Sequence, residues 1–357
     1  MIFSSFVGIS AEDEFLANIP IIDTSLFTKN QRKGRDDDIY DSDYGGAFLL
    51  IGVSPDDSSL VLTNSILREN SAIGDAGVID NSGASITATD CIFENNESED
   101  GKGGVMFSSE GVSTFERCRF DGNSAEYNGG ALYFTDDSRA TITECEFVDN
   151  DSHGGSGGVI TSDGAITLER CRFDGNDAKY EGGALFLTGD SRATITECEF
   201  HDNTCNGDEG SIFSEGNGGA IYSEGNSLVL EGCVLTRNEA EAYGGAIFTA
   251  AERSEVRACS FEENEADYGG AIYTEDGSTE IAGTTFGCNE AYEYGGAIYS
   301  DYGDIELSES DFTSNNAPEG GALYFEDVTD IHISECFFDG NNANGDKTWN
   351  GRGGGHI

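Results

Sequence analysis

Residues 116–150 and 169–203 match at 28 of 35 positions, a near-verbatim copy set 53 residues apart. A close-packed globular core does not accept such a copy, because every duplicated side chain would need a new set of neighbours. A stack of coils accepts it, since each coil touches only the next. The copy belongs to a longer register. A Phe or Leu followed three residues later by Asn recurs at Asn70, Asn96, Asn123, Asn150, Asn176, Asn203, Asn238, Asn264, Asn289, Asn315 and Asn341, and nine of the ten intervals are 25 to 27 residues. The tenth is 35 and marks an insertion, "NTCNGDEGSIFSEGN" at 203–217. Gly-Gly pairs alternate with these motifs: "GGAF" at 45, "GGAL" at 129, 182 and 320, "GGAI" at 218, 244, 269 and 295, and "GGV" at 103 and 157.

Each unit reads as three short strands parted by turns. In the copy that starts at Gly218 they are "AIYS", "SLVLE" and "CVLT". Three residues before the Cys of the repeat, or the residue in its place, stand Ile142, Leu168, Ile195, Leu230, Val256, Ile281, Leu307 and Ile333, while two residues before it stand Thr143, Glu169, Thr196, Glu231 and Arg257. This alternation of period two describes a strand with one buried and one wet face. Three strands and about 26 residues per turn predict an all-β, single-stranded right-handed parallel β-helix of about 11 coils. It would occupy 45–357, behind an N-terminal segment 1–44 read as a cap or leader, with "GGGHI" at 353–357 as the opening of a further, truncated coil.

Composition narrows the function classes. With 68 acidic against 18 basic residues, the formal charge of −50 repels nucleic acid, which requires a basic footprint. It equally repels polyanionic glycans, and it suits a saline medium or a surface bathed in divalent ions. No apolar run reaches the roughly 20 residues of a membrane span. The start "MIFSSFVGISAEDEF" lacks the basic region of a secretory signal. "KNQRKGRDDD" at 29–38 reads as a solvated loop.

Cys91, Cys118, Cys145, Cys171, Cys198, Cys233, Cys259 and Cys336 all stand two residues before the Phe or Leu of the repeat. That spacing forms a column of small buried thiols, since the close C-x₂-C pairs of metal sites are absent. Cys205 and Cys288 lie off the column and are expected at the surface. The asparagines are expected to form a structural ladder at one corner, side-chain amide to side-chain amide, in the left-handed conformation that Asn tolerates. No cofactor or metal site is indicated. The calcium-binding nonapeptide of β-rolls is missing, and acidic columns favour only loosely held cations such as Ca²⁺.

Aromatic residues form a stripe directly after the "GGA[IL]" motif: Tyr133, Phe186, Tyr222, Phe248, Tyr273, Tyr299 and Tyr324. A second set, Tyr44, Tyr127, Tyr180, Tyr243, Tyr268 and Tyr294, precedes the Gly-Gly pairs. Rings facing outward beside carboxylates would offer a platform to a sugar or a protein partner, and rings stacked along a solenoid also stabilise it. Catalysis would require paired carboxylates near a base. The candidates are Asp136, Asp137 and Arg139, with their copies Asp190 and Arg192, all in ordinary turns; His153, His201, His332 and His356 form no pair.

Gly-Gly-Ala-Ile/Leu alternating with Phe-x-x-Asn over 45–357 resembles the repeats of the chlamydial polymorphic outer-membrane proteins. The resemblance implies a surface-displayed or secreted, adhesin-like rod that binds a partner or glycan along a stacked face. On this reading the chain is not an enzyme. The alternative is a polysaccharide lyase or glycoside hydrolase of the pectate-lyase-like class.

Overall fold

The computed structural model describes residues 25–28, 46–51, 59–135, 137–207 and 216–345, with backbone alone at residues 49 and 51 and in the strands at 2–3, 7–10, 22–23, 31–32 and 355–356. Among the described residues there is no helix, and hence none long and apolar enough to cross a membrane. The chain divides into two compact units, Met1–Ala178 and Lys179–Ile357. Each is a parallel β-solenoid, with five repeat asparagines in the first and six in the second.

One coil of the second unit shows the plan. Ile247–Thr249 follows the Gly-Gly pair, Arg253–Arg257 follows a tight turn, and Ser260–Glu262 follows Cys259. Beyond the three expected strands a fourth pairing segment, Glu265–Tyr268, follows Asn264. Each pairs in parallel with its equivalent one coil on, Ile272–Glu275, Ser278–Ala282, Thr285–Gly287 and Glu290–Tyr294, the first three in register and the last with a shift between Ala266 and Tyr268. The first unit repeats the scheme, for instance from Ser138–Thr143 to Ala165–Glu169.

The interior is a set of columns. Phe93, Phe120, Phe147 and Phe173 stack in the first unit at centroid distances of 4.7 Å. Phe261, Phe286, Phe312 and Phe338 do so in the second at 4.8–5.0 Å. Ile142, Leu168, Leu230 and Ile281 are fully buried, as the alternation requires. The Gly-Gly pair is where one coil presses on the next. Gly244 has φ +68°, and a Cβ on Gly245 would lie 2.2 Å from the Gly270 carbonyl oxygen, so neither position admits a side chain.

Within 1–44, Leu26–Thr28 pairs in parallel with Ile66–Arg68, and Gln31–Arg32, inside the stretch read as a loop, pairs with Ser71–Ala72. Ser25, Phe27 and Asn30 carry the repeat signature, hidden by a Ser in the place of the Cys. Gly355–His356 does not start a parallel coil. It pairs antiparallel with Leu323–Glu326, which satisfies an edge that would otherwise be bare.

Candidate functional site

The asparagine ladder is continuous within each unit. From Asn70 through Asn96, Asn123 and Asn150 to Asn176, each Nδ2 donates to the next Oδ1 at 2.8–3.0 Å. From Asn203 through Asn238, Asn264, Asn289 and Asn315 to Asn341 the distances are 2.9–3.0 Å. The same oxygen accepts the backbone N–H of the preceding asparagine, as Asn289 Oδ1 does from Asn264 at 3.1 Å. The left-handed residue is not the asparagine but its predecessor: Asn95, Asp149, Asp202, Arg237, Glu263, Cys288 and Ser314 all have φ of 51–57°. The ladder amide must point inward, so the turn is made one residue earlier.

The thiol column is equally regular. Cys91, Cys145, Cys198, Cys259 and Cys336 donate Sγ to the carbonyl two residues before at 3.2–3.4 Å. Cys118 and Cys233 point Sγ at the carbonyls of Ala88 and Ile195, and Cys171 does so to Ile142, each at 3.4 Å. Ser65, Thr284 and Ser310 fill the same position with hydroxyls that make the same bond at 2.8–3.1 Å. All ten cysteines are free. Cys288 is exposed, but Cys205, expected at the surface, is buried. Its strand Thr204–Cys205 pairs with Glu239–Ala240 and turns the thiol inward, beside the Tyr180 carbonyl.

The aromatic stripe is assembled in the second unit. Tyr222, Phe248, Tyr273, Tyr299 and Tyr324 stack nearly parallel at 4.7–5.2 Å, with Phe186 tilted at the head. Tyr243, Tyr268 and Tyr294 pack obliquely or edge-on against that column. The rings form a buried cluster, with Phe248, Tyr273, Tyr299 and Tyr324 only 5–8 % exposed. Their faces cover one another. In the first unit Tyr133 stacks on Phe107, lies 4.4 Å below the Lys102 ammonium, and meets Thr161 on the next coil. Tyr127 is exposed and Tyr44 lies outside the described residues.

Two residues beyond each ring the strand places a side chain at the column's edge. Glu275, Asp301 and Glu326 stand there in register on three successive coils. The Tyr299 hydroxyl donates to Glu326. Asp301 Oδ1 is sheltered from solvent and has no hydrogen-bond partner. Partial burial, reinforced by Glu326, Glu275 and Asp327, raises the Asp301 carboxyl to about 6. Burial raises Glu275 as well, with Asp276 adding to it. Burial likewise pushes the neighbouring phenols up, Tyr324 to about 12. No group of three or more ligand side chains able to hold a metal occurs among the described residues. Sequence reasoning passed over these carboxylates because each is one acid among 68. The signal was their constant offset from the stripe.

The catalytic candidates read from the sequence are not brought together. Asp136 lies outside the described residues, while Asp137, Arg139, Asp190 and Arg192 are exposed and joined by no ion pair. His153 meets Asp151 and His201 meets Glu199, each across its own strand at the surface. His332 is exposed, and the side chain of His356 lies outside the described residues. A cavity of about 320 Å³ lined by Gly321, Ala322, Phe338, Gly340, Asn341 and Ala343 carries no titratable group.

Residues 78–356 match the family model described as "Right handed beta helix region". No curated protein matches the chain. Among solved structures it is similar to the catalytic domain of a GH87 alpha-1,3-glucanase in complex with nigerose, at 13 % identity and a TM-score of 0.43, covering 97 % of this chain and 69 % of that one. A variant of that domain in complex with tetrasaccharides is similar at 12 % identity and a TM-score of 0.39, with the same coverage. The expectation that the chain is not an enzyme is thereby corrected. The solved structures it is similar to are catalytic domains. The similarity is one of fold, and no residue role is carried across.

Proposed function

The chain belongs to the right-handed β-helix family, and on that premise we propose that its second unit hydrolyses a neutral polysaccharide at the Glu275–Asp301–Glu326 column. One observation carries the reading: Asp301 stands in register between two other carboxylates, its Oδ1 sheltered and unpartnered. A carboxyl raised to about 6 is suited to general-acid work near neutral pH, and glycosidic cleavage pairs such an acid with a second carboxyl group. Asp301 donates its proton to the glycosidic oxygen, and Glu326, oriented by the Tyr299 hydroxyl, attacks the anomeric carbon. Water then releases the sugar with Asp301 acting as base. Successive coils lie ~4.8 Å apart, close to the ~5–5.5 Å separation of a retaining pair, so the anomeric configuration is expected to be kept.

Hydrolysis is favoured over elimination because every group acting on the Asp301 carboxyl through charge is itself acidic. A lyase needs cationic side chains to neutralise a uronate, and the charge of −50 repels such substrates. An adhesive platform of ring faces is not adopted, because the column's faces are turned on one another. The test is reducing-sugar release from a panel of neutral glucans, xylan and mannan. Wild-type protein should act on at least one of them, and Asp301→Asn and Glu326→Gln should each lose activity at least ~100-fold. Wild-type inactivity on all, or an Asp301→Asn variant of undiminished activity, overturns the reading.

A further inference from the structure

We infer that Tyr302 is the sugar-stacking residue of this site, an inference that rests on the proposed role of the Asp301 column. Most other described tyrosines of the second unit lie in the stripe or pack against it, with ring faces closed by neighbouring rings. Tyr302 is 49 % exposed, makes no ring contact and follows Asp301 directly in the chain. It is the aromatic face beside the carboxylates that remains open to a ligand.

Its backbone sharpens the point. Tyr302 has φ 56° and Gly303 also has φ 56°, so two successive residues occupy the left-handed region. Such a turn calls for Asn or Asp followed by Gly, and a bulky side chain there is strained. The preceding coil obeys the rule with Asp276 and Gly277, at φ 54° and 56°, and the following coil places Asp327 at φ 49°. Between two aspartates that suit the turn, the chain carries a tyrosine that does not. Left-handed residues recur at other corners of the solenoid, Arg237, Glu263 and Glu309 among them. At this turn, however, the flanking coils place Asp and this coil places a bulky ring, an irregularity that points to a task for that side chain. The face of a pyranose that presents its C–H bonds packs on such a ring, while its glycosidic oxygen lies toward the neighbouring Asp301. An uncharged ring sets no charge requirement, in keeping with a neutral glycan.

The experiment compares the full-length wild type with Tyr302→Asn, Tyr302→Phe and Asp301→Asn. It measures KM and kcat on the polysaccharides of the panel above and retardation by each of them in native gels. Asn suits the left-handed turn and adds no charge beside Asp301. Tyr302→Asn should raise KM and weaken retardation about tenfold or more, the factor that ~1.4 kcal/mol of lost contact produces, with kcat little changed. It should also raise Tm by about 2–4 °C as strain is released. Tyr302→Phe should keep wild-type KM. If Asp301→Asn abolishes hydrolysis but Tyr302→Asn keeps wild-type KM and retardation, the stacking role is overturned and the carboxylate reading stands. If the wild type neither cleaves nor is retarded by any glycan, both fall. Retardation that needs Tyr302, without cleavage, keeps the stacking role and refutes hydrolysis alone.

Discussion

Replacing Asn264 by alanine tests whether the amide ladder holds the coils together. Asn264 is fully buried. Its Oδ1 accepts from both the backbone N–H and the Nδ2 of Asn238 at 3.0 Å, and its Nδ2 donates to the Leu235 carbonyl and to Asn289 Oδ1, also at 3.0 Å. Alanine leaves the Asn238 backbone N–H and one of its two Nδ2 hydrogens buried without an acceptor, the other still reaching the Phe200 carbonyl, at roughly 1–3 kcal/mol for each lost partner. The expected loss is therefore about 2–6 kcal/mol, a large part of the ~5–15 kcal/mol that holds a typical domain folded. Asn264→Asp is subtler. One oxygen keeps the Asn238 bonds, but the other replaces Nδ2 and confronts the Leu235 carbonyl and Asn289 Oδ1, two acceptors. Only a proton relieves this, so the folded-state pKa rises above the ~3.9 of an unfolded Asp. A pKa raised on folding gives stability that is full below the unfolded value and is lost as pH rises through the folded one. Relative to wild type, Asn264→Asp should thus be least stable at neutral pH and partly restored near pH 4. Urea unfolding followed by circular dichroism measures both, with an unchanged m-value as the control. A loss below ~1 kcal/mol for Asn264→Ala, or an Asn264→Asp deficit that does not shrink on acidification, refutes the ladder as a source of stability.

Cys259→Ser should shift stability by less than ~1 kcal/mol, because Thr284 and Ser310 already fill that column with the same bond; Cys259→Leu should cost ~1–3 kcal/mol by overpacking, and paired Tm values decide between them. Asp301, raised to about 6 against ~3.9 unfolded, contributes stability that is complete below about pH 4 and lost as pH rises through 6, so Asp301→Asn should flatten that part of the wild-type stability profile and no other. NaCl should raise Tm by screening a charge of −50. A Tm that does not rise with NaCl would contradict this.

The sequence alone determined the solenoid, its period and its inward face. A coil is packed only against its neighbours, so whatever a coil needs recurs at fixed spacing: the Phe that stacks, the Asn that bonds to the next Asn, the Gly that leaves no room for a Cβ. It also missed what the repeat disguises. The coil segment at Ser25–Thr28 and the hydroxyl members of the thiol column, Ser65, Thr284 and Ser310, look unlike cysteine in sequence but make the same bond. The outward face was decided by tertiary structure. Alternation leaves open which way Tyr273 and Tyr299 face and what they meet, and in the fold they meet one another. The same holds for chemistry. Glu275, Asp301 and Glu326 are ordinary acids in an acidic chain until register lines them up on one edge and shelters the middle one. Tyr302 becomes distinctive only through its φ, its open ring and its place beside them, because conformation and exposure are set by the fold around a residue and not by its identity.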